Sequence, residues 1–264
     1  MCRQRTGWRL VTALAGLLAL ASGAAAGTIS HVIFHLDAAN GQGTGSLEAY
    51  DEDLVYSSTA NTWVWNKGQT PILNGSGQQM ATLTSAKLTI TRDPALNAPY
   101  RLDLNYALLA GSSLTRFTIT TALLSFPAIP PEYLVGPTSG GRATISCRVD
   151  DKNNDGAQLL AYGPIGAGMF TPQYNGLAPG GTTFSDLLNQ VQVGVDGYGT
   201  GGEDQPASGY LTIPATVSDM SGRLDFTLTA ADTVNGSTTY RILPEPSAGL
   251  GLLLLATLAA ARRR

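Results

Sequence analysis

An all-β fold is predicted for residues 27–243, as a single antiparallel β-sandwich of jelly-roll-like layout, and three observations carry that expectation. Short stretches alternate apolar and polar residues with period two; they are rich in Thr, Val, Ile and Tyr; and clusters of Gly, Pro, Asn and Asp separate them. Strands with one apolar and one Thr-rich face imply sheets packed on one side and wet on the other. About 10–13 strands in this stretch favour one sandwich over two domains. The chain has 264 residues with 31 Gly and 14 Pro, a supply that suits the many turns of such a fold.

Residues 81–84 run into 86–92, and 100–106, 114–120 and 143–149 repeat the alternation, as do 190–195, 210–213 and 223–229. The one candidate helix is short, at 185–190, with Ser185 as its N-cap. Residues 40–46, 74–77, 162–168, 178–182 and 197–202 read as loops. The Pro-rich 127–131 predicts a stiff extended crossover from one sheet to the other. Pro214 assigns its strand to an edge or a bulge. The chain turns polar near Asn235, yet 238–242 still fits a last strand.

The two ends are a different material. Arg3, Arg5 and Arg9 precede an apolar run over 10–20 that exits through small residues, and Ala24 and Ala26 supply an A-x-A cleavage pattern. This predicts a secretory signal peptide over 1–26, too short for an ordinary membrane span. Cys2 leaves with it, so the mature chain keeps one thiol, Cys147, which fits a small core residue of a strand. At the other end, Pro244-Glu245-Pro246 precedes an uncharged run over 248–261 and then Arg262, Arg263 and Arg264. Fourteen helical residues reach about 21 Å, a short transmembrane segment that snorkelling arginines extend. The positive-inside rule puts those arginines in the cytoplasm and everything upstream outside.

Pro-Glu-Pro, an apolar segment and a terminal arginine cluster resemble the PEP-CTERM sorting signal of Gram-negative bacteria, over residues 244–264. The resemblance implies recognition by an exosortase, a membrane-embedded thiol transpeptidase that processes exported proteins at or near the motif. It implies a precursor tethered to the inner membrane, then a protein of the cell surface or extracellular matrix. The tail tells how the protein is handled, not what it binds.

Charge and residue supply exclude several functions. The 27–243 domain holds ten basic and eighteen acidic residues, a net charge of −8, against −3 for the whole chain. This disfavours nucleic acid and unscreened acidic polysaccharide as partners. Two Cys cannot staple a disulfide scaffold, and two His limit imidazole chemistry. His31 and His35 would lie about 13 Å apart on one strand face, too far for one metal. No G-x-S-x-G, H-E-x-x-H or phosphate loop occurs.

Two constellations remain. Asp151, Asn153, Asp155 and Gly156 spell D-x-N-x-D-G, the way calcium loops gather oxygen ligands, but the twelfth position is Tyr162 and no helix flanks it. An ordinary Asp/Asn/Gly hairpin turn accounts for the same residues. Trp63 and Trp65 share a strand face, which reads either as a platform for a sugar ring or as core packing. The expected function is a non-enzymatic cell-envelope or extracellular-matrix (biofilm) protein, handled by signal peptidase and exosortase, without a cofactor unless calcium. The rival is a carbohydrate-binding module that engages extracellular polysaccharide through Trp63 and Trp65 or the 151–155 loop. A secreted hydrolase comes third, because no motif supports it.

Overall fold

A computed structural model describes residues 27–93, 98–135, 138–163 and 167–245. The signal segment 1–26 and the tail from Pro246 onward lie outside the described residues, so the two expected terminal helices do too. Among the described residues, no helix is long and apolar enough to cross a membrane.

The chain forms β1 (Thr28–Ile29), β2 (Val32–Asn40), β3 (Gly43–Tyr50), β4 (Val55–Ser57), β5 (Thr62–Lys67) and β6 (Thr70–Leu73). There follow β7 (Gln79–Asp93), β8 (Ala98–Ala110), β9 (Thr115–Thr121), β10 (Leu124–Ile129), β11 (Gly140–Asp150) and β12 (Ala157–Ala161). The last six are β13 (Phe170–Tyr174), β14 (Thr182–Thr183), β15 (Gln190–Val193), β16 (Tyr198–Gln205), β17 (Val217–Leu228) and β18 (Thr233–Leu243). They build two antiparallel sheets facing each other as a sandwich. The ten-stranded sheet runs β1-β10-β17-β9-β2-β3, with β12 and β13 also on β17 and β14 and β15 beyond them. The eight-stranded sheet runs β16-β11-β18-β8-β7-β5-β4, with β6 on β7.

Alternation does the sorting. Leu102, Leu104 and Leu108 of β8, Val149 of β11 and Tyr240 of β18 are fully buried, as are Phe34, Leu36, Phe117 and Phe226 of the facing sheet. Rings interlock across the gap: Phe34 meets Trp65 at 4.9 Å and Tyr106 stacks on Phe226 at 6.1 Å between centroids. Each such side chain contributes about 1.5–3 kcal/mol by leaving water.

Several local expectations change. There are more strands than expected because short pieces such as β1, β4 and β14 carry no alternation long enough to read. Residues 185–190 are not a helix: Leu187 bridges Phe170, and β15 begins at Gln190. Residues 210–213 form no strand, only the single bridge Gly141↔Leu211. The Pro-rich segment does carry the chain between sheets, but as the end of β10 and a 3₁₀ turn at Pro131–Tyr133. The polar Asn235-Gly236-Ser237 lies inside β18, whose neighbours β8 and β11 satisfy it on both sides. Strand β18 ends at Leu243, and the Glu245 N–H donates to Tyr133 O at 2.8 Å. The Pro-Glu-Pro motif therefore begins against the domain, without a spacer.

Candidate functional site

The outer face of the eight-stranded sheet carries an open depression of about 530 Å³. Its floor follows from register. Asn105 of β8 lies opposite Ser237 of β18, Ser237 opposite Ser146 of β11, and Ser146 opposite Gly202 of β16. The next row outward from these strands is Ala107, Asn235, Arg148 and Thr200. Short side chains in both rows apart from Arg148, and none at Gly202, leave the sheet low here. The Ser146 and Ser237 hydroxyls sit 2.8 Å apart. Arg148 forms one wall: its Nε and Nη2 donate to Asp150 Oδ1 at 2.9 and 2.6 Å, and its guanidinium lies 4.1 Å over the Tyr198 ring. Tyr198 itself is 64% exposed, an aromatic surface beside the Arg148 wall rather than in the lining.

Such a lining offers amide and hydroxyl groups that both donate and accept and one fixed cation, with an exposed ring beside it. That mixture suits a polyhydroxylated chain lying on this face of the sheet. Cys147, between Ser146 and Arg148, points the other way into the core at 6% exposure, and burial pushes its thiol up to about 11. The sequence expectation of a core thiol holds.

The structure corrects the tryptophan platform. Trp63 and Trp65 do share a face, but it is the inner one: they lie opposite Ile90 and Leu88, both fully buried. Trp65 is 5% exposed against Phe34, so it offers no ring to a sugar. Trp63 is half-buried, packs on the core, and meets Tyr56 in a tilted ring contact at 4.9 Å between centroids.

The D-x-N-x-D-G loop is held together by one carboxylate. Asp151 Oδ1 accepts the N–H groups of Asn153 and Asn154, and Oδ2 those of Gly156 and Asp196, at 2.9–3.2 Å. Burial pushes the Asp151 carboxyl up, but those four bonds outweigh it and hold it below its ordinary value. Asn153 turns its amide Nδ2 to Asp155 Oδ2 and to Ala230 O. Asn154 takes a left-handed φ of 64° to close the turn. Oxygens of Asp151, Asp155 and Asp232 come within 4.8 Å of one another, so Asp232 is the group from a distant segment that the sequence could not supply. It too is engaged, accepting the Lys152 N–H at 3.0 Å.

The histidines part company. His31 pairs with Asp51 at 2.7 Å and is exposed, while His35 Nδ1 meets Glu48 at 2.9 Å and Nε2 meets Asp37 at 3.0 Å. They share no ligand geometry. Of the processing motif, Pro244 and Glu245 lie at the domain edge, whereas Pro246, Arg262, Arg263 and Arg264, like Ala24 and Ala26, fall outside the described residues.

No protein-family model matches the chain, and no curated protein matches it. Among solved structures it is similar to the C-terminal CBM6 of LamC, a marine laminarinase from Zobellia galactanivorans, at 12% identity and a TM-score of 0.19, over 68% of this chain and 98% of that one. A CBM4 structure is similar at 10% identity and a TM-score of 0.22, over 74% and 96% of the two chains. A third, concerning carbohydrate-binding modules of the β-sandwich superfamily, has 10% identity and a TM-score of 0.20, over 83% and 85%. Likeness this low carries no argument about ligand.

Proposed function

We propose that the protein is an exported, non-catalytic polysaccharide-binding protein of the cell surface or extracellular matrix. The observation that carries the reading is the trough over Asn105, Ser237, Ser146 and Thr200, walled by Arg148, whose guanidinium lies over the exposed Tyr198 ring. A purely structural matrix protein needs no such recess, so the sequence expectation moves from scaffold towards binding. The binding surface also moves, from Trp63 and Trp65 to the opposite face of the same sheet. Export and handling rest on sequence: the signal segment with Ala24 and Ala26, and the Pro-Glu-Pro tail with its arginine cluster, which supports exosortase processing of a membrane-tethered precursor.

Affinity electrophoresis of the purified protein through gels containing a panel of neutral and acidic bacterial polysaccharides tests the binding. Asn105→Ala and the trough-filling Ser146→Tyr are expected to weaken retention about tenfold each, the worth of one or two lost hydrogen bonds. Trp63→Ala is expected to leave retention unchanged. Free migration through the whole panel, or retention lost only in Trp63→Ala, overturns the assignment.

A further inference from the structure

Along the same outer face, four residues from Asn105 on β8, lies a row that is harder to explain as sheet surface. Arg101 of β8 stands directly opposite Arg241 of β18, which stands opposite Arg142 of β11. Neighbouring strands are about 4.8 Å apart, and like charges directly opposite destabilise a sheet. Two carboxylates answer the three guanidiniums, unevenly. Asp103 takes Arg101 at 2.8 Å and the Thr239 hydroxyl at 2.6 Å. Asp204 reaches Arg142 only at 3.5 Å and is itself 46% exposed. Arg241 forms no ion pair among the described residues; its guanidinium rests 4.8 Å over the Tyr210 ring. Arg142 Nε is buried without an acceptor, a donor whose desolvation nothing in the described chain offsets. These groups enclose a recess of about 240 Å³ lined by Arg101, Arg142, Arg241, Thr144 and Thr239.

Resting on the polysaccharide reading above, we infer that this arginine row is the anion subsite of the trough, binding an oxyanion carried on the polymer. Guanidinium forks suit flat or tetrahedral oxyanions, which take two parallel N–H bonds from one Arg. Among the described residues, Arg142 Nε supplies an N–H in want of an acceptor, Arg241 a cation without a counter-charge, and the recess the space between them. The row lies about 13 Å along the strands from Asn105, so one polymer running along β8 and β18 touches both. The domain's net charge of −8 argues against acidic partners only at a distance, because salt screens it over about 8–10 Å while the row acts in contact.

Binding is measured with three probes: polygalacturonate, the same polymer with its carboxyl groups reduced to alcohols, and a sulfated galactan. The expected result is at least tenfold tighter binding of polygalacturonate than of its reduced form, with Arg241→Gln and Arg142→Gln each bringing the two affinities together. Lys67→Gln, on β5 and away from the row, is expected to keep the preference. A preference for the sulfated galactan that the same two variants abolish supports the subsite with sulfate as its oxyanion. Equal affinity for the charged and reduced forms, or a preference that survives both variants, overturns the anion subsite and leaves the polysaccharide reading standing. Failure of all three probes, and of the wider panel, overturns both.

Discussion

Gly236→Ala is expected to unfold the domain early, although the position looks like an ordinary mid-strand residue. Gly236 lies opposite Tyr106, and the Tyr106 ring occupies the space that a side chain would take. A Cβ built on Gly236 would sit 2.7 Å from Tyr106 Cε1 and closer still to Cζ and Oη. Carbon atoms rest at about 3.5–4.0 Å, so the ring must retreat by about 1 Å. It has nowhere to go: Tyr106 is 3% exposed and stacks on the fully buried Phe226 at 6.1 Å. Overpacking of this kind costs about 3 kcal/mol, which for a domain of this size lowers Tm by about 6–12 °C. Scanning calorimetry of the purified protein reads it directly. Tyr106→Leu is expected to destabilise by about 2–3 kcal/mol alone, through the cavity it leaves. The double variant should lose less than the sum, because the leucine vacates the space that the alanine needs. A Tm shift below about 2 °C for Gly236→Ala, or strict additivity, would refute the argument.

Other expectations follow from the same structure. Asp151→Asn should destabilise most at neutral pH: the carboxyl titrates below its ordinary value when folded, so its contribution is present above about pH 3.9 and fades as pH falls through the folded value. Thermal melts with and without calcium should coincide, since four N–H groups already occupy that carboxylate; a saturable rise in Tm with calcium would instead show a cation loop. For His35, burial opposes protonation, but its bonds to Glu48 and Asp37 outweigh it and raise the imidazole above its ordinary value. Its stabilisation is therefore full below about pH 6.5 and lost as pH rises through the folded value, a slope that His35→Gln should flatten in urea titrations. Cys147, pushed up to about 11, should resist alkylation at about pH 8 until denaturant is added; rapid labelling of the native protein would contradict its burial.

What was legible in the sequence is what period two encodes. Leu102, Leu104 and Tyr106 face the core, and Arg101, Asp103 and Asn105 face water, because a strand has only two sides. The class of fold and the burial of Cys147 follow from that alone. Which side faces the partner sheet is not encoded in three residues, so Trp63-Val64-Trp65 left the tryptophans open to two readings, and contact with Phe34 decides for Trp65. The trough was illegible for a different reason. Ser146 and Ser237 are 91 residues apart, and only the register of β11 on β18 makes them neighbours. The arginine row likewise draws single residues from three distant strands. Asp232 reaches the 151–155 loop from 80 residues away, so no local motif could announce it.

The order of the strands has a consequence for how and when the chain folds. The last two, β17 and β18, are interior to their sheets: β17 holds β9, β10, β12 and β13, and β18 joins β8 to β11. Until residues 217–243 arrive, β9, β10, β12 and β13 lack the strand that joins them and β8 is not joined to β11, so neither layer is continuous. Long-range pairing of this kind is slow, because loop closure must precede the contacts that reward it. A chain emerging N-terminus first thus stays open until almost all of it is available. Late closure makes the final strands the step on which the joining of each layer waits.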